Sequence, residues 1–247
     1  MEYRQISTLS HVVMWLLLSH TCYGTESDVM CLRKIKKSLK DPIGYLASSW
    51  NFSNIVEGSI CTFSGVECWH PDENKVLNLR LSNMGLEGQF PSGLENCTSM
   101  TGLDLSNNNL SGLIPADICT RRIHYVTTLD LSSNHFSGGI PLDMGNCSYL
   151  NALSLQHNQL NGSIPQTLSQ LSRLRSLNVA YNSLTGLIPI LNPNISANFT
   201  NNRVRYMQLI FWSNSFPLIW PLFVSKQFHA SLRRKSVFCG VVSSYFD

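Results

Sequence analysis

Charged side chains are scarce in this chain of 247 residues, and carboxylates almost vanish from its second part. Lysine, arginine, aspartate and glutamate make up 13% of the sequence, against a usual share of about a quarter. Residues 144–247 hold eight basic side chains and a single carboxylate, Asp247. Such a basic region favours contact with a phospholipid surface or an acidic polymer. No dense run of Lys and Arg with interleaved aromatics is present, so we expect no nucleic-acid partner.

Catalytic motifs are also missing from the sequence. It has no Gly-x-Ser-x-Gly elbow, His-Glu-x-x-His or Cys-x-x-Cys pair, and no glycine-rich phosphate loop or catalytic loop of a kinase. Asp104 and Asp130 would lie side by side on adjacent strands, but both belong to a repeated phrase, which explains them without catalysis. We therefore predict a non-enzymatic chain without catalytic residues, cofactor or metal.

Residues 1–24 have the pattern of an export signal. Arg4 precedes a short apolar core at 12–18, and the small residue Gly24 offers a cleavage site. The apolar core is shorter than the roughly 20 residues that a membrane span needs. Export predicts an oxidising, extracellular or plasma-membrane-associated location. Seven sites for N-linked glycosylation agree with export: Asn51, Asn96, Asn109, Asn146, Asn161, Asn194 and Asn198.

One phrase, L-x-x-L-x-L-x-x-N-x-L-x-G-x-I-P, recurs five times between residues 76 and 198. The copies begin at Val76, Met100, Val126, Leu150 and Leu174. The period and the phrase are those of a leucine-rich repeat. Alternating leucines predict a short strand in each copy, and the following proline turns the chain out of it. We expect an α/β solenoid, a right-handed superhelix with short parallel strands on its concave face.

A structural asparagine is predicted at the turn of four copies. We expect each buried amide to satisfy backbone groups of adjacent turns, one copy serving the next. Met84 holds this position in the first copy, where the stack begins. The predicted ladder consists of Asn108, Asn134, Asn158 and Asn182.

Residues 25–75 differ from the repeats and are predicted to cap the stack. Apolar residues recur with helical spacing between Val29 and Leu39, before Pro42. Cys61 and Cys68 are expected to form a disulfide, since no second pair is near enough for zinc.

The remaining cysteines are interpreted in less detail. Cys97 and Cys147 occupy the same repeat position, about 10 Å apart and too far for a mutual disulfide, so we interpret both as small buried hydrophobes. The sequence leaves the pairing of Cys31, Cys119 and Cys239 open.

The cap, the 24-residue period and the L-S-G-x-I-P phrase resemble the ectodomains of plant leucine-rich repeat receptor-like kinases and receptor-like proteins, over residues 25–200. The stretches "MCLRKIKKSLKDP", "FSGVECWHPDENKVLNLRLSNMGLEGQFP" and "LQHNQLNGSIP" further resemble the small-ectodomain group of inactive receptor-like kinases. That resemblance implies binding to co-receptor kinases of the somatic embryogenesis type and restraint of immune signalling. The second cysteine-paired cap and the kinase of that family have no counterpart in this sequence.

The leading functional hypothesis is a recognition module that binds a co-receptor ectodomain through its concave face. An inhibitor of wall-degrading enzymes such as polygalacturonase is an alternative, and so is a truncated product without a stable function. Three columns of residues are expected to point outward, beginning at Arg80, Ser82 and Asn83. Within or beside them we predict partner contacts at Arg80, Asp104, Asp130, Gln156, His157, Asn178 and Tyr181.

Residues 199–247 are predicted to be an atypical tail. The stretch 207–224 is apolar enough for membrane contact, but Pro217 and Pro221 interrupt it as a spanning helix. We expect little regular order beyond about Asn202 and fraying of the fifth repeat.

Overall fold

The computed structural model describes residues 23–206 of the chain. The predicted export signal, apart from its last two residues, lies outside the described residues. So do the apolar stretch 207–224 and Cys239. No helix within residues 23–206 is long and apolar enough to cross a membrane.

The predicted cap is built from two helices packed on an aromatic cluster. Helix α1 spans Tyr23–Ser38 and helix α2 spans Tyr45–Ser49. Trp50 is fully buried, and its indole nitrogen donates to the Ser64 carbonyl at 2.9 Å. The ring stacks on Phe63 at 6.1 Å and meets Phe52 edge-on at 6.5 Å. This cluster closes the first end of the apolar core.

Seven short strands form a first sheet, with one strand from each successive unit. All neighbours are parallel except the first pair, and Leu79, Leu103 and Leu129 share one register row with the leucines that follow. These leucines are buried, as the alternating pattern predicts. The strands, in spatial order, are β1 Val66–Cys68, β2 Val76–Arg80, β4 Gly102–Asp104, β6 Thr128–Asp130, β8 Ala152–Ser154, β10 Ser176–Asn178 and β12 Ser196–Asn198.

After each first-sheet strand from β2 onward the chain turns and contributes one strand to a second parallel sheet. Its order is β13-β11-β9-β7-β5-β3, and a glycine with positive φ lies at the same position in each of the five repeats. Short helices at 94–96, 118–122, 142–146 and 166–170 complete the turns of the solenoid. The strands are β3 Glu87–Gly88, β5 Asn109–Leu113, β7 His135–Gly139, β9 Gln159–Ser163, β11 Ser183–Leu187 and β13 Arg203–Arg205.

The asparagine ladder is present, but it runs in the opposite direction to the prediction. The Asn134 amide donates to the Leu105 carbonyl at 2.9 Å, and its oxygen accepts from the Leu110 amide at 3.0 Å. Both partners belong to the preceding copy, because the second sheet brings each asparagine over the turn behind it. The same pattern holds for Asn108, Asn158 and Asn182.

The regular structure extends past the fifth repeat into a sixth, partial unit. Strand β12 continues the first sheet beside β10, and β13 continues the second sheet beside β11. Asn202 repeats the ladder, since its amide donates to the Val179 carbonyl at 2.9 Å and accepts from Leu184 at 3.0 Å. The boundary at residue 199 is therefore wrong for this segment, and strand β13 is ordered just past Asn202, while the rest of the predicted tail lies outside the described residues. The sixth unit covers the fifth repeat, which does not fray.

Three disulfides lie within the described residues. The predicted Cys61–Cys68 bond is present. Cys97 and Cys147 are buried, but their interpretation as free hydrophobes is wrong, because Cys97 bonds to Cys31 and Cys147 bonds to Cys119. Each partner comes from the preceding unit, where the Cα separations are 5.5 and 5.0 Å. The comparison of Cys97 with Cys147 alone missed these nearer partners.

Candidate interaction surface

The first outward column of the first sheet places Asp104 and Asp130 directly opposite each other. Both are half-buried, and their carboxylates accept from the amides of Ser106 at 2.9 Å and Ser132 at 2.8 Å. Asn178 makes the same bond to the Ala180 amide at 3.2 Å. A side chain that accepts from the backbone two residues later closes a turn. These three predicted contacts therefore have a structural task at the end of each strand.

The second column is buried rather than outward. Ser106, Ser132 and Ala180 are no more than 6% exposed, so the expectation that this column faces a partner is wrong for them. Gln156 is larger and only half-buried, and its Oε1 is a buried atom without a hydrogen-bond partner.

The third column forms a ridge of residues with left-handed backbone. Asparagine, which tolerates positive φ, holds three of its six positions. His157 and Tyr181 adopt the same conformation with φ of 54°. Their rings stack at a centroid distance of 4.1 Å and an interplanar angle of 11°. The members of the ridge are Asn83, Asn107, Ser133, His157, Tyr181 and Asn201.

The stacked pair and Gln156 form one cluster, while Arg80 lies elsewhere. The His157 amide donates to the Ala180 carbonyl, and the Tyr181 amide donates to the Thr200 carbonyl, which fixes both turns. Tyr181 is 47% exposed. Arg80 lies three strands away, on β2, where it pairs with Glu67 at 2.9 Å. Of the seven predicted contacts, the structure brings together Gln156, His157 and Tyr181, which we call the ridge cluster.

A second aromatic group, which the sequence analysis did not single out, lies at the opposite ends of the same strands. Tyr125 and Tyr149 have ring centroids 5.5 Å apart, and His124 packs edge-on against both. The Arg173 guanidinium lies 5.0 Å above the Tyr149 ring. The signal was available, because Tyr125, Tyr149 and Arg173 each stand one residue before the start of a repeat.

No cluster of three or more His, Cys, Asp or Glu side chains arranged for a metal occurs in residues 23–206. The surface therefore offers stacked rings, amide groups and cations, which suit recognition by contact.

Comparisons with known proteins agree with this architecture. A family model for the leucine rich repeat N-terminal domain matches residues 25–69. Two leucine rich repeat models match residues 99–120 and 124–184.

Among solved structures, the BIR2 ectodomain from Arabidopsis thaliana superposes with a TM-score of 0.69 at 44% identity. The match covers 72% of this chain and 94% of that one. The complex of BIR3 with SERK2 from the same plant matches at 0.67 and 44% identity, over 72% of this chain and 95% of the other.

The full-length relative BIR2, an inactive LRR receptor-like serine/threonine-protein kinase from Arabidopsis thaliana, is 44% identical over 116 residues. The match covers 47% of this chain and 19% of that protein. The chain spans roughly a fifth of the length of such curated relatives.

Proposed function

The chain belongs to the leucine-rich repeat ectodomains of plant receptor-like kinases, and on this premise we propose that it is a non-enzymatic extracellular module that binds a co-receptor kinase ectodomain. The family expected from the sequence is thereby confirmed. The fold is similar to the solved structure of a complex in which BIR3 is bound to SERK2. A SERK2-type ectodomain is therefore the partner that we propose for this chain.

The ridge cluster is the observation that carries the proposal. Tyrosine in the left-handed region costs conformational energy, and such strain is concentrated at functional sites. An exposed aromatic pair offers a large, rigid contact area, which is typical of interface hot spots. Gln156 lies next to the pair in the chain, and its Oε1 is buried without a hydrogen-bond partner.

Several of the proposed glycosylation sites lie away from this surface. Asn109 and Asn161 are exposed on strands of the second sheet, and Asn51 is exposed in the cap. None of the seven sites lies on a first-sheet strand from β2 to β10. Glycans at Asn51, Asn109 and Asn161 would cover the second sheet and the cap, whereas Asn198, on β12, lies near the ridge.

The test is binding of the secreted full chain to an immobilised SERK2 ectodomain, measured by biolayer interferometry. We expect His157→Ala and Tyr181→Ala each to weaken binding about tenfold, roughly 1.4 kcal/mol. Tyr45→Ala and His135→Ala are matched controls, because Tyr45 is 46% exposed in the cap and His135 is exposed on the second sheet. Absence of binding at tens of micromolar, or equal losses in the controls, contradicts the proposal.

A further inference from the structure

A row of residues precedes the first-sheet strands, one from each repeat, and we call it the leading edge. Its members share one repeat position, so they follow one another at the spacing of neighbouring strands, about 4.8 Å. They are Lys75, Ser99, Tyr125, Tyr149 and Arg173. The ridge cluster lies at the other ends of the same strands, so the two surfaces are separate.

Aromatic rings cover most of the leading edge. Trp69 donates from its indole nitrogen to the Ser99 carbonyl at 3.1 Å, so its ring lies beside the repeat position that holds tyrosine in the next two copies. Trp69 is 46% exposed and Tyr125 is 50% exposed. Lys75 lies 6.0 Å from the Trp69 ring centre, and Arg173 lies over Tyr149. Three rings therefore follow one another along one line, with a cation at each end.

The leading edge is also free of carboxylates. The segments 98–101, 124–127, 148–151 and 172–175 carry His124, Arg173 and Arg175 and no acidic residue. The nearby acids of the short helices have internal partners. Asp117 accepts from Arg122 at 3.0 Å, and Asp143 accepts from the Cys119 amide at 2.7 Å. Arg173 and Arg175 are consequently available to an outside anion, whereas Lys75 lies near the Asp28 carboxyl.

We propose that the leading edge binds an acidic polysaccharide, a linear polymer whose sugar rings carry carboxylates. The guanidinium of Arg173 lies over the Tyr149 ring, 5.0 Å from its centre, and a guanidinium can donate in pairs to a carboxylate. The flat faces of Trp69 and the tyrosines suit the apolar faces of sugar rings.

The linear order of the groups favours a polymer over an acidic peptide. A ring or a cation recurs at nearly every strand spacing, which matches a ligand with a repeating unit. A folded protein partner is already assigned to the ridge cluster. The polysaccharide site is independent of that assignment and goes beyond it.

The test measures binding of the full chain to an α-1,4-linked oligogalacturonate of about ten sugars by isothermal titration calorimetry. We expect Arg173→Ala/Arg175→Ala to weaken binding at least about tenfold, since each charge-assisted pair contributes around 1.4 kcal/mol or more. Arg203→Ala/Arg205→Ala is the matched control, because it removes the same charge from exposed positions of the second sheet. Its affinity should change less than about twofold.

A second pair of variants separates stacking from charge. Tyr125→Ala/Tyr149→Ala should weaken binding without a change in net charge, while its thermal melt reports whether the fold survives. Equal losses in the two arginine pairs would indicate non-specific attraction and overturn the proposal. Binding of an acidic peptide but not of the oligogalacturonate would overturn it too. The leading-edge variants should bind the co-receptor ectodomain with unchanged affinity. A failure of the polysaccharide proposal can therefore be distinguished from a failure of the proposed co-receptor binding at the ridge cluster.

Discussion

Tyr181 combines a bulky ring with a left-handed backbone, and the two properties can be separated by mutation. Tyr181→Ala and Tyr181→Gly both remove the ring, but only glycine adopts positive φ without steric cost. We expect the glycine variant to be more stable than the alanine variant by about 1 kcal/mol, and both to lose co-receptor affinity equally. Chemical denaturation checks the first expectation. At Tyr45, in helix α2, the order should reverse, since glycine weakens a helix.

Asp28 is a buried carboxyl in the cap with an unusual titration. Burial raises its pKa from 3.8 to about 6, although a bond from the Val76 amide and the charge of Lys75 oppose the rise. Its Oδ1 has no hydrogen-bond partner. Well below pH 3.8 the group is protonated in both the folded and the unfolded chain. Between pH 4 and 6 the unfolded chain releases its proton first, so the free energy of unfolding falls as the pH rises.

The expected consequence is a protein that gains stability on mild acidification. The rise in pKa corresponds to roughly 3 kcal/mol between pH 4 and pH 7. Asp28→Asn should raise the melting temperature at pH 7 and change it little at pH 4. Thermal melts across this range, with the exposed Asp72→Asn as control, measure the effect. Parallel curves for the wild type and Asp28→Asn would show that this carboxyl does not titrate as described.

Residue-scale features divide clearly into those that the sequence predicts and those that it does not. The ladder asparagines and the buried leucines were predictable, because their regular spacing in the sequence indicates which positions are buried. The stacking of His157 on Tyr181 was not, since it depends on two adjacent turns sharing a backbone conformation. The internal bonds of Asp104 and Asp130 were likewise hidden, because an aspartate that closes a turn and one that awaits a partner have the same sequence.

At the scale of elements, the asparagine ladder joins each turn to the preceding one. Asn134 is 5% exposed and bonds to groups of both turns. Asn134→Leu would remove the side-chain acceptor of the buried Leu110 amide and one of the two side-chain bonds to the Leu105 carbonyl, which keeps the bond from Asn108. We expect a loss of about 3 kcal/mol in the free energy of unfolding, measured by urea denaturation. Asn151→Leu, at an exposed position, is the control. An equal loss of unfolding free energy in that variant would show that the ladder bonds do not cause the effect.

The sixth unit shows how an element escapes detection by periodicity. Asn202 follows Asn182 by 20 residues, not the usual 24, and Ala197 stands in the register row of Leu177. A shortened loop and a missing leucine remove both signals of the repeat. The disulfides escaped for a related reason. Cys31 lies in helix α1 and Cys119 in the short helix at 118–122, and neither holds the repeat position of its partner, so no shared position marks the partners.

At the scale of the whole molecule, the glycosylation sites divide the surface into faces. Asn198 lies on β12, in the same register row as Asn178, so it is the one predicted site on a first-sheet strand. Its neighbour Thr200 accepts from the Tyr181 amide at 2.9 Å. A glycan at Asn198 would therefore lie within about one strand spacing of the ridge cluster.

This placement predicts that removing a glycan affects partner affinity at the first-sheet site but not at the second-sheet sites. Thr200→Ala removes the Asn198 site but keeps the asparagine, whereas Ser111→Ala and Ser163→Ala do the same for Asn109 and Asn161 on the second sheet. If Asn198 carries a glycan, its loss should strengthen SERK2 binding several-fold, because a mobile glycan beside Tyr181 competes for the partner's space. Loss of the second-sheet glycans should leave affinity unchanged and reduce solubility. Mass spectrometry establishes which sites are occupied, and interferometry measures the affinities. An occupied Asn198 whose removal leaves the affinity unchanged would place the partner elsewhere, since a ligand on the ridge cannot avoid that position.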